Sequence, residues 1–376
     1  MIDAAREVDL LPGVDVVAPR EFVPDAKQIL EIHFKLHGTD GVSLVAHSLD
    51  SALEKLGRNI HRLSGDVLPR DKGLNLAGIS YQSPEAISLR QRIFSEKPDP
   101  NLKTEIETAA SRLRPAIEQY IKDNNIGTVI IRNLFSLPLN LPATLALYQI
   151  MREPAFQNVK FALFHHDFYW EKVRSSQYVS GTPEIEQMIS NLYPPTLPNV
   201  RHFVINSGSQ KELWERKGIK ATILPDAYDF EKAAIDFSIP VERSFPLRKK
   251  LGLKPEDLMV IVPTRVVGRK AIELAIRLVA EMAKPANRDR LVELSSNLGG
   301  IGRLKTTFSD TSKIVLVLPQ AEDIKDNGKY LDHLKTIAKK LGVDLKPREN
   351  MFVLTVLVQW PVIGECLFMK YTKKQI

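Results

Sequence analysis

Short runs of β-branched and other apolar residues alternate with stretches whose apolar positions recur about every 3.6 residues, and this alternation predicts βαβ units around a parallel sheet. The apolar runs place strands at residues 27–34, 59–63, 128–132, 159–165, 202–205 and 221–224. Helices are predicted at 43–56, 103–124, 142–151 and 207–217. Pro115 is expected to kink the second of these, because proline removes a backbone donor inside a helix. Ser207 or Ser209 is placed to cap the last. Residues 229–246 show no period and read as a connection between domains.

A second series follows. Residues 247–251 form a short helix ending at Gly252, and 258–262 (LMVIV) a buried strand. The helix at 270–283 carries Ile272, Ile276, Val279 and Ala283 on one stripe. Residues 284–312, with Pro285, Gly299, Gly300 and Gly302, read as a loop. Strands at 313–318 and 351–358 flank a helix at 328–341, and no internal repeat is visible. The expected fold class is α/β: two Rossmann-like domains, 1–240 and 241–376, facing each other across a cleft. The second has only about three strands, against a usual mean of about 5–6 per sheet.

Composition narrows the class. The 376 residues are 44% hydrophobic and 26% charged, the proportions of an ordinary globular protein and enough chain for two cores. The single cysteine, Cys366, excludes an intramolecular disulfide framework and a cysteine-based zinc cluster, and fits a reducing, cytoplasmic setting. Charge is unevenly divided. Residues 241–376 hold 25 Lys and Arg against 15 Asp and Glu, whereas residues 1–240 are slightly acidic, so the net +7 belongs to the last third. An anionic partner there is one reading, and solvated lysines on helix faces the other. The first residues lack a basic stretch followed by an apolar core, so no signal peptide is expected. Residues 351–369 approach the length of a membrane span, but Pro361, Gly364 and Glu365 interrupt them, and a buried strand with a turn is the expectation.

Several strand-end clusters could carry chemistry. HGTDGVS (37–43) lies between the first strand and first helix, where Gly38 and Gly41 permit close backbone approach and free helix N–H groups can face an anion. HHDFYWE (165–171) directly follows a strand. It reads either as a polar, aromatic wall for a sugar or as a core histidine with Phe168 and Trp170 packed beneath it. Asn133 and Asn140, in the loop after residue 132, could bind hydroxyls or serve as turn residues. PTRVVGRK (263–270) sets Arg265 at a strand tip and Lys270 five residues on. The two could converge on a diphosphate, Arg as a planar fork and Lys as a point charge. No P-loop, GxSxG elbow or HExxH occurs, and aromatics are not interleaved with the basic residues, which argues against nucleic acid. The histidines lack metal-ligand spacing, so no metal site is expected.

Together these residues, from about 27 to 345, resemble the family 4 retaining glycosyltransferases of the GT-B type. HGTDGVS is similar to that family's glycine turn, and His166 to its cleft histidine. ILPDAYDF (223–230) is similar to its Pro-Asn-x-x-Asp linker, with Asp226 in place of Asn. Arg265 and Lys270 match its Arg-x4-Lys pair. The resemblance implies transfer of a hexose from a UDP-, GDP- or ADP-sugar to a hydroxyl acceptor: a sugar, a glycerate-like molecule or a lipid-linked one. It implies His166 as the catalytic-cleft residue, and Gly41, Arg265, Lys270 and Glu365 on the donor. It further implies Asn133, Asp167, Tyr169 and Trp170 toward the acceptor, with no cofactor. The family's Glu-x7-Glu element is missing, since Gly364–Glu365 is followed by Lys373 where a second Glu is due, so a shortened donor domain is expected. The competing reading is a non-catalytic relative that binds nucleotide or a partner without turnover, and a third is peripheral contact with a membrane through the basic, apolar end.

Overall fold

The computed structural model describes residues 22–356, apart from 38–39, 68–71, 172–174, 228–245, 265, 298–307, 310, 319–327, 344 and 349–350. The chain divides into two compact units, Met1–Ala234 and Ile235–Ile376.

The first unit is built on a parallel sheet of β1 (Asp25–Ile32), β2 (Asn59–Ser64), β3 (Gly73–Asn75), β4 (Ile126–Arg132), β5 (Lys160–His165), β6 (Val200–Val204) and β7 (Ala221–Ile223). The order is β3-β2-β1-β4-β5-β6-β7, and each neighbouring pair is parallel. Strands buried on both faces must be apolar on both, and they are. Leu30, Ile32, Leu63, Val129, Ile131, Phe161 and Leu163 pack on one face. Ile29, Ile60, Ile130 and Phe164 pack on the other, against Leu49 and Leu53. Strand order reverses between β1 and β4, and in such sheets ligands bind beyond the carboxyl ends of the strands at that reversal.

Six helices cover this sheet: α1 (Gly41–Lys55), α2 (Pro84–Ile93), α3 (Leu102–Asp123), α4 (Leu141–Arg152), α5 (Pro183–Leu192) and α6 (Ser207–Lys217). The α/β class and most elements match the sequence expectation. β1 begins two residues earlier than expected, and α3 runs on through Pro115 as one helix. The cap of α6 is Asn206, not Ser207 or Ser209: its Oδ1 accepts from the Ser209 N–H at 2.8 Å, which leaves both serines inside the helix.

The second unit contains α7 (Pro246–Lys250), β8 (Leu258–Ile261), α8 (Ile272–Met282), α9 (Pro285–Asn297), β9 (Ile314–Leu318), α10 (Lys329–Lys340), β10 (Leu345–Arg348) and β11 (Met351–Val356). Its sheet has four strands in the order β10-β11-β9-β8, one more than expected. β8 and β9 are parallel, but β11 is antiparallel to both β9 and β10. Two residues separate β10 from β11, too few for the crossover that a parallel pair requires. The loop expected at 284–312 is corrected over its first half by α9. Proline is well tolerated in the first turn of a helix, so Pro285 marks a start and not a break. Arg288 on α9 is buried, with Nη2 donating to the carbonyls of Ser309 and Ser312 at 2.9 and 2.6 Å.

Lys270 does not open the helix as expected. It closes a single 3-10 turn, Gly268–Lys270, after which Ala271 takes a left-handed conformation (φ 48°) and α8 begins at Ile272. The first N–H of α8 is already used: Ile272 N–H donates to the Tyr330 hydroxyl at 2.9 Å, and Tyr330 donates to Glu273.

Candidate functional site

Glu31 in β1 and Arg132 at the end of β4 are charged residues within the buried stretches of their strands. Both are fully buried and paired, Arg132 Nε donating to Glu31 Oε1. Register sets Glu31 opposite Arg62 of β2. Arg62 donates through Nε and Nη2 to Asp50 Oδ2 on α1, at 3.2 and 2.7 Å. The oxygens left over, Glu31 Oε2 and Asp50 Oδ1, have no donor among the described residues. The two carboxyls lie against each other, which two ionised acids cannot do in a buried site, so they share one proton. Burial and the neighbouring Glu31 push Asp50 up to about 9, while the two guanidiniums and the bond from Asp50 hold Glu31 below its usual range against the cost of burial.

This network reaches the strand ends through Arg132. Its Nη1 donates to His166 Nε2 at 3.3 Å, and its guanidinium lies over the Phe164 ring at 4.9 Å. His166 Nδ1 in turn donates to Asp226 Oδ1 at 3.0 Å. A guanidinium only donates, so His166 Nε2 carries a lone pair and its proton sits on Nδ1, facing Asp226. That bond holds the Asp226 carboxyl below its ordinary range, despite partial burial. His166 is nearly enclosed, and Asp226 is 46% exposed. The backbone of Asn133, left-handed at φ 57°, turns its side chain so that Oδ1 accepts the His166 N–H at 2.9 Å. His33, at the end of β1, donates from Nδ1 to the Arg132 carbonyl at 2.9 Å, and burial lowers it to about 4.

The turn after β1 is pinned by Asp66, which accepts from the N–H groups of Leu36 and His37 at 2.8 and 3.0 Å. Asp40 caps α1 by accepting from Ser43 N–H at 3.2 Å, so the helix starts at Gly41 and not at Ser43. A Cβ added at Gly41 would meet nothing within 4 Å, so packing does not require glycine there and the space before the helix is open.

Of the two histidines of the HHD sequence, His166 belongs to the network just described and His165 lies in the core. His165 is a core residue: Ser136 Oγ donates to its Nδ1 at 2.6 Å, and its Nε2 bonds His202 Nδ1 at 3.1 Å. Burial holds His165 well below its ordinary value and His202 at about 4. The expected acceptor face is only partly assembled. Asn133 is 4% exposed and positions His166. Trp170 is corrected to a packing residue: it stacks on Phe168 at 4.4 Å, lies under Arg216, and donates from Nε1 to Glu212 at 3.1 Å. Tyr169 packs edge-on to Tyr193 and Trp170. Asp167 follows His166 just beyond β5 and is half-buried. Asn140 is a helix cap, its Oδ1 accepting from Ala143 N–H and its Nδ2 donating to the carbonyls of Gly78 and Ile79. On the donor side Lys270 is exposed. Arg265 and Glu365 lie outside the described residues.

Glu31, Asp50, Arg62 and Arg132 were missed by motif reading. Their signal is a charge inside a strand too apolar to leave it unpaired: Glu31 within ILEIHF and Arg132 closing TVIIR. Among the described residues no cluster of three His, Cys, Asp or Glu could hold a metal ion, and no helix is long and apolar enough to cross a membrane.

An α/β sheet with a polar network at its switch point is an arrangement many enzymes share, and comparison with known proteins narrows it. No family model matches the chain. Two curated relatives do, both mannosylglucosylglycerate synthases. The one from Petrotoga mobilis is 29% identical over 84% of this chain and 68% of its own, and the one from Thermotoga maritima 25% identical over 92% and 74%. The solved structure of a UDP-forming α,α-trehalose-phosphate synthase from Burkholderia vietnamiensis aligns with a TM-score of 0.49 at 12% identity, over 85% of this chain and 69% of that one. The relatives are glycosyltransferases, and the similarity supports glycosyl transfer in general as the activity of this chain.

Proposed function

We propose that the chain is a retaining, GT-B type glycosyltransferase of the family 4 kind, moving a hexose from a nucleotide-sugar to a hydroxyl of a glycerate-bearing acceptor. The observation that carries the reading is His166, held between Arg132 and Asp226 at the sheet's switch point, in a chain whose curated relatives make mannosylglucosylglycerate. In this reading residues 1–240 serve the acceptor, with His166 bordering the transferred sugar and Asp167 and Tyr169 beside it. Residues 241–376 serve the donor. Gly41, Arg265, Lys270 and Glu365 would hold it, the two cations stabilising charge that develops on the departing nucleoside diphosphate.

The test is a panel of UDP-, GDP- and ADP-glucose and -mannose against glycerate and glucosylglycerate, with product anomers read by NMR. Expected are transfer from one donor class with retention, and a fall in kcat/KM of about 10²–10³-fold in Arg265→Ala and Lys270→Ala. Nucleotide binding without turnover of any donor would refute the enzyme reading in favour of a binding protein.

A further inference from the structure

His166 has no ring nitrogen to offer a ligand. Nε2 accepts from Arg132 and Nδ1 donates to Asp226, so the polar end of the chain Glu31–Arg132–His166–Asp226 is the aspartate. Its placement is not that of a closing ion pair. Glu31 and Arg132 are wholly buried and His166 nearly so, whereas Asp226 is 46% exposed and its Oδ2 meets no partner among the described residues. Asp226 lies three residues beyond β7, and Leu224 N–H donating to the Val204 carbonyl at 2.8 Å carries the β6–β7 pairing one residue further, so Asp226 stays at the strand-end edge of the sheet where His166 follows β5. Two separate strand ends thus converge on one carboxylate beside the sheet's switch point.

We propose that Asp226 receives the hydroxyl groups of the acceptor, and that Arg132, acting through His166, is the positioning residue that aims it. A carboxylate is acceptor-only and can take two hydroxyl donors at once, the pattern presented by neighbouring hydroxyls of a sugar ring. The His166 bond occupies Oδ1 and fixes the plane of the group, leaving Oδ2 and the second lone pair of Oδ1 for the ligand. Because that bond also holds the carboxyl below its usual range, Asp226 stays an acceptor throughout the neutral range and does not act as an acid. Arg132 is anchored by Glu31, so the orientation is inherited from the core of the sheet. The inference rests on the glycosyl-transfer reading and adds to it the residue that meets the acceptor.

The experiment uses the full chain, with the donor that the panel above selects and glucosylglycerate as acceptor. Asp226→Asn keeps an oxygen for His166 Nδ1–H but loses the charge. It should raise the acceptor KM at least tenfold and leave the donor KM within threefold, and Asp226→Ala should do the same or more. Arg132 is tested in the double variant Glu31→Gln/Arg132→Met, which leaves no unpaired buried charge. There the acceptor KM should rise as in Asp226→Asn with the donor KM within threefold, while the ¹⁵N signature of a His166 ring protonated at Nδ1 should persist, because Asp226 still accepts from it. Arg132→Lys should recover part of the acceptor KM. Turnover with both KM values unchanged in the Asp226 variants overturns the inference while the glycosyl-transfer reading stands. An acceptor KM unchanged in the double variant overturns the role of Arg132. Absence of turnover by the wild-type chain with every donor overturns the reading and the inference with it.

Discussion

Replacing Asp50 by Asn tests whether a proton is shared inside the buried network. In the folded chain Asp50 is pushed up to about 9 by burial and by Glu31. In the unfolded chain it titrates near 3.8. Between those values the folded chain holds a proton that the unfolded chain has released, so stability falls as pH rises and goes on falling until Asp50 itself ionises near 9. One proton is worth about 1.4 kcal/mol per pH unit. The Asp50→Asn chain lacks this dependence, because an amide donates to Glu31 and accepts from Arg62 without titrating. The two proteins should differ little near pH 5, and the stability advantage of Asp50→Asn should grow by about 3 kcal/mol between pH 6 and pH 8. Glu31, held low, alters the balance only at more acid pH. Urea titrations followed by tryptophan fluorescence, with both proteins in a Trp360→Phe background, report on the first unit, where Trp170 and Trp214 lie. Parallel pH curves for the two proteins would show that Asp50 is ionised and balanced by Arg62 alone, and the shared proton would have to be abandoned.

Two further outcomes follow from the same region. Arg132→Met removes the guanidinium paired with the buried Glu31 and should cost about 3–5 kcal/mol. That is a fall of roughly 6–20 °C in the melting point of a unit this size; adding Glu31→Gln should recover part of it, and calorimetry showing no recovery would refute the pairing. His202, lowered to about 4 by burial, refuses a proton that the unfolded chain accepts below about 6.5, so it takes stability away as pH falls through that range. His202→Gln should therefore lose less stability than the wild type between pH 7 and pH 5, and equal losses by urea midpoint would count against a buried neutral imidazole at this position.

Much of the fold was legible along the chain because its determinants are local. Parallel strands covered on both faces must be continuous apolar runs, and TVIIR and VKFALFH announce themselves as such, whereas LMVIV, expected to be buried, is the half-exposed edge strand β8. The histidine at the end of β5 was legible for the same reason: a polar residue directly after such a run falls at the edge where ligands bind. What failed were features decided by one side chain against a distant backbone. Asn140 and Asn206 became caps, Pro285 a helix start, and Lys270 the end of a 3-10 turn because Tyr330, far along the chain, takes the first N–H of α8. Trp170 looked available to a sugar until Phe168 and Arg216 were found against it.

The sequence by itself determined an α/β chain of apolar strands and amphipathic helices, since hydrophobic period and strand composition need no partner to be read. Only the tertiary structure decided where the buried charges sit and what they do. Glu31, Arg132, His166 and Asp226 come from four strands far apart in sequence. Their alignment depends on strand order and register, which bring Arg132 beside Glu31 and turn the chain after β7 back to His166. Burial is what gives the arrangement its force. In water these groups would be solvated one by one, whereas inside the sheet each must be satisfied by the next.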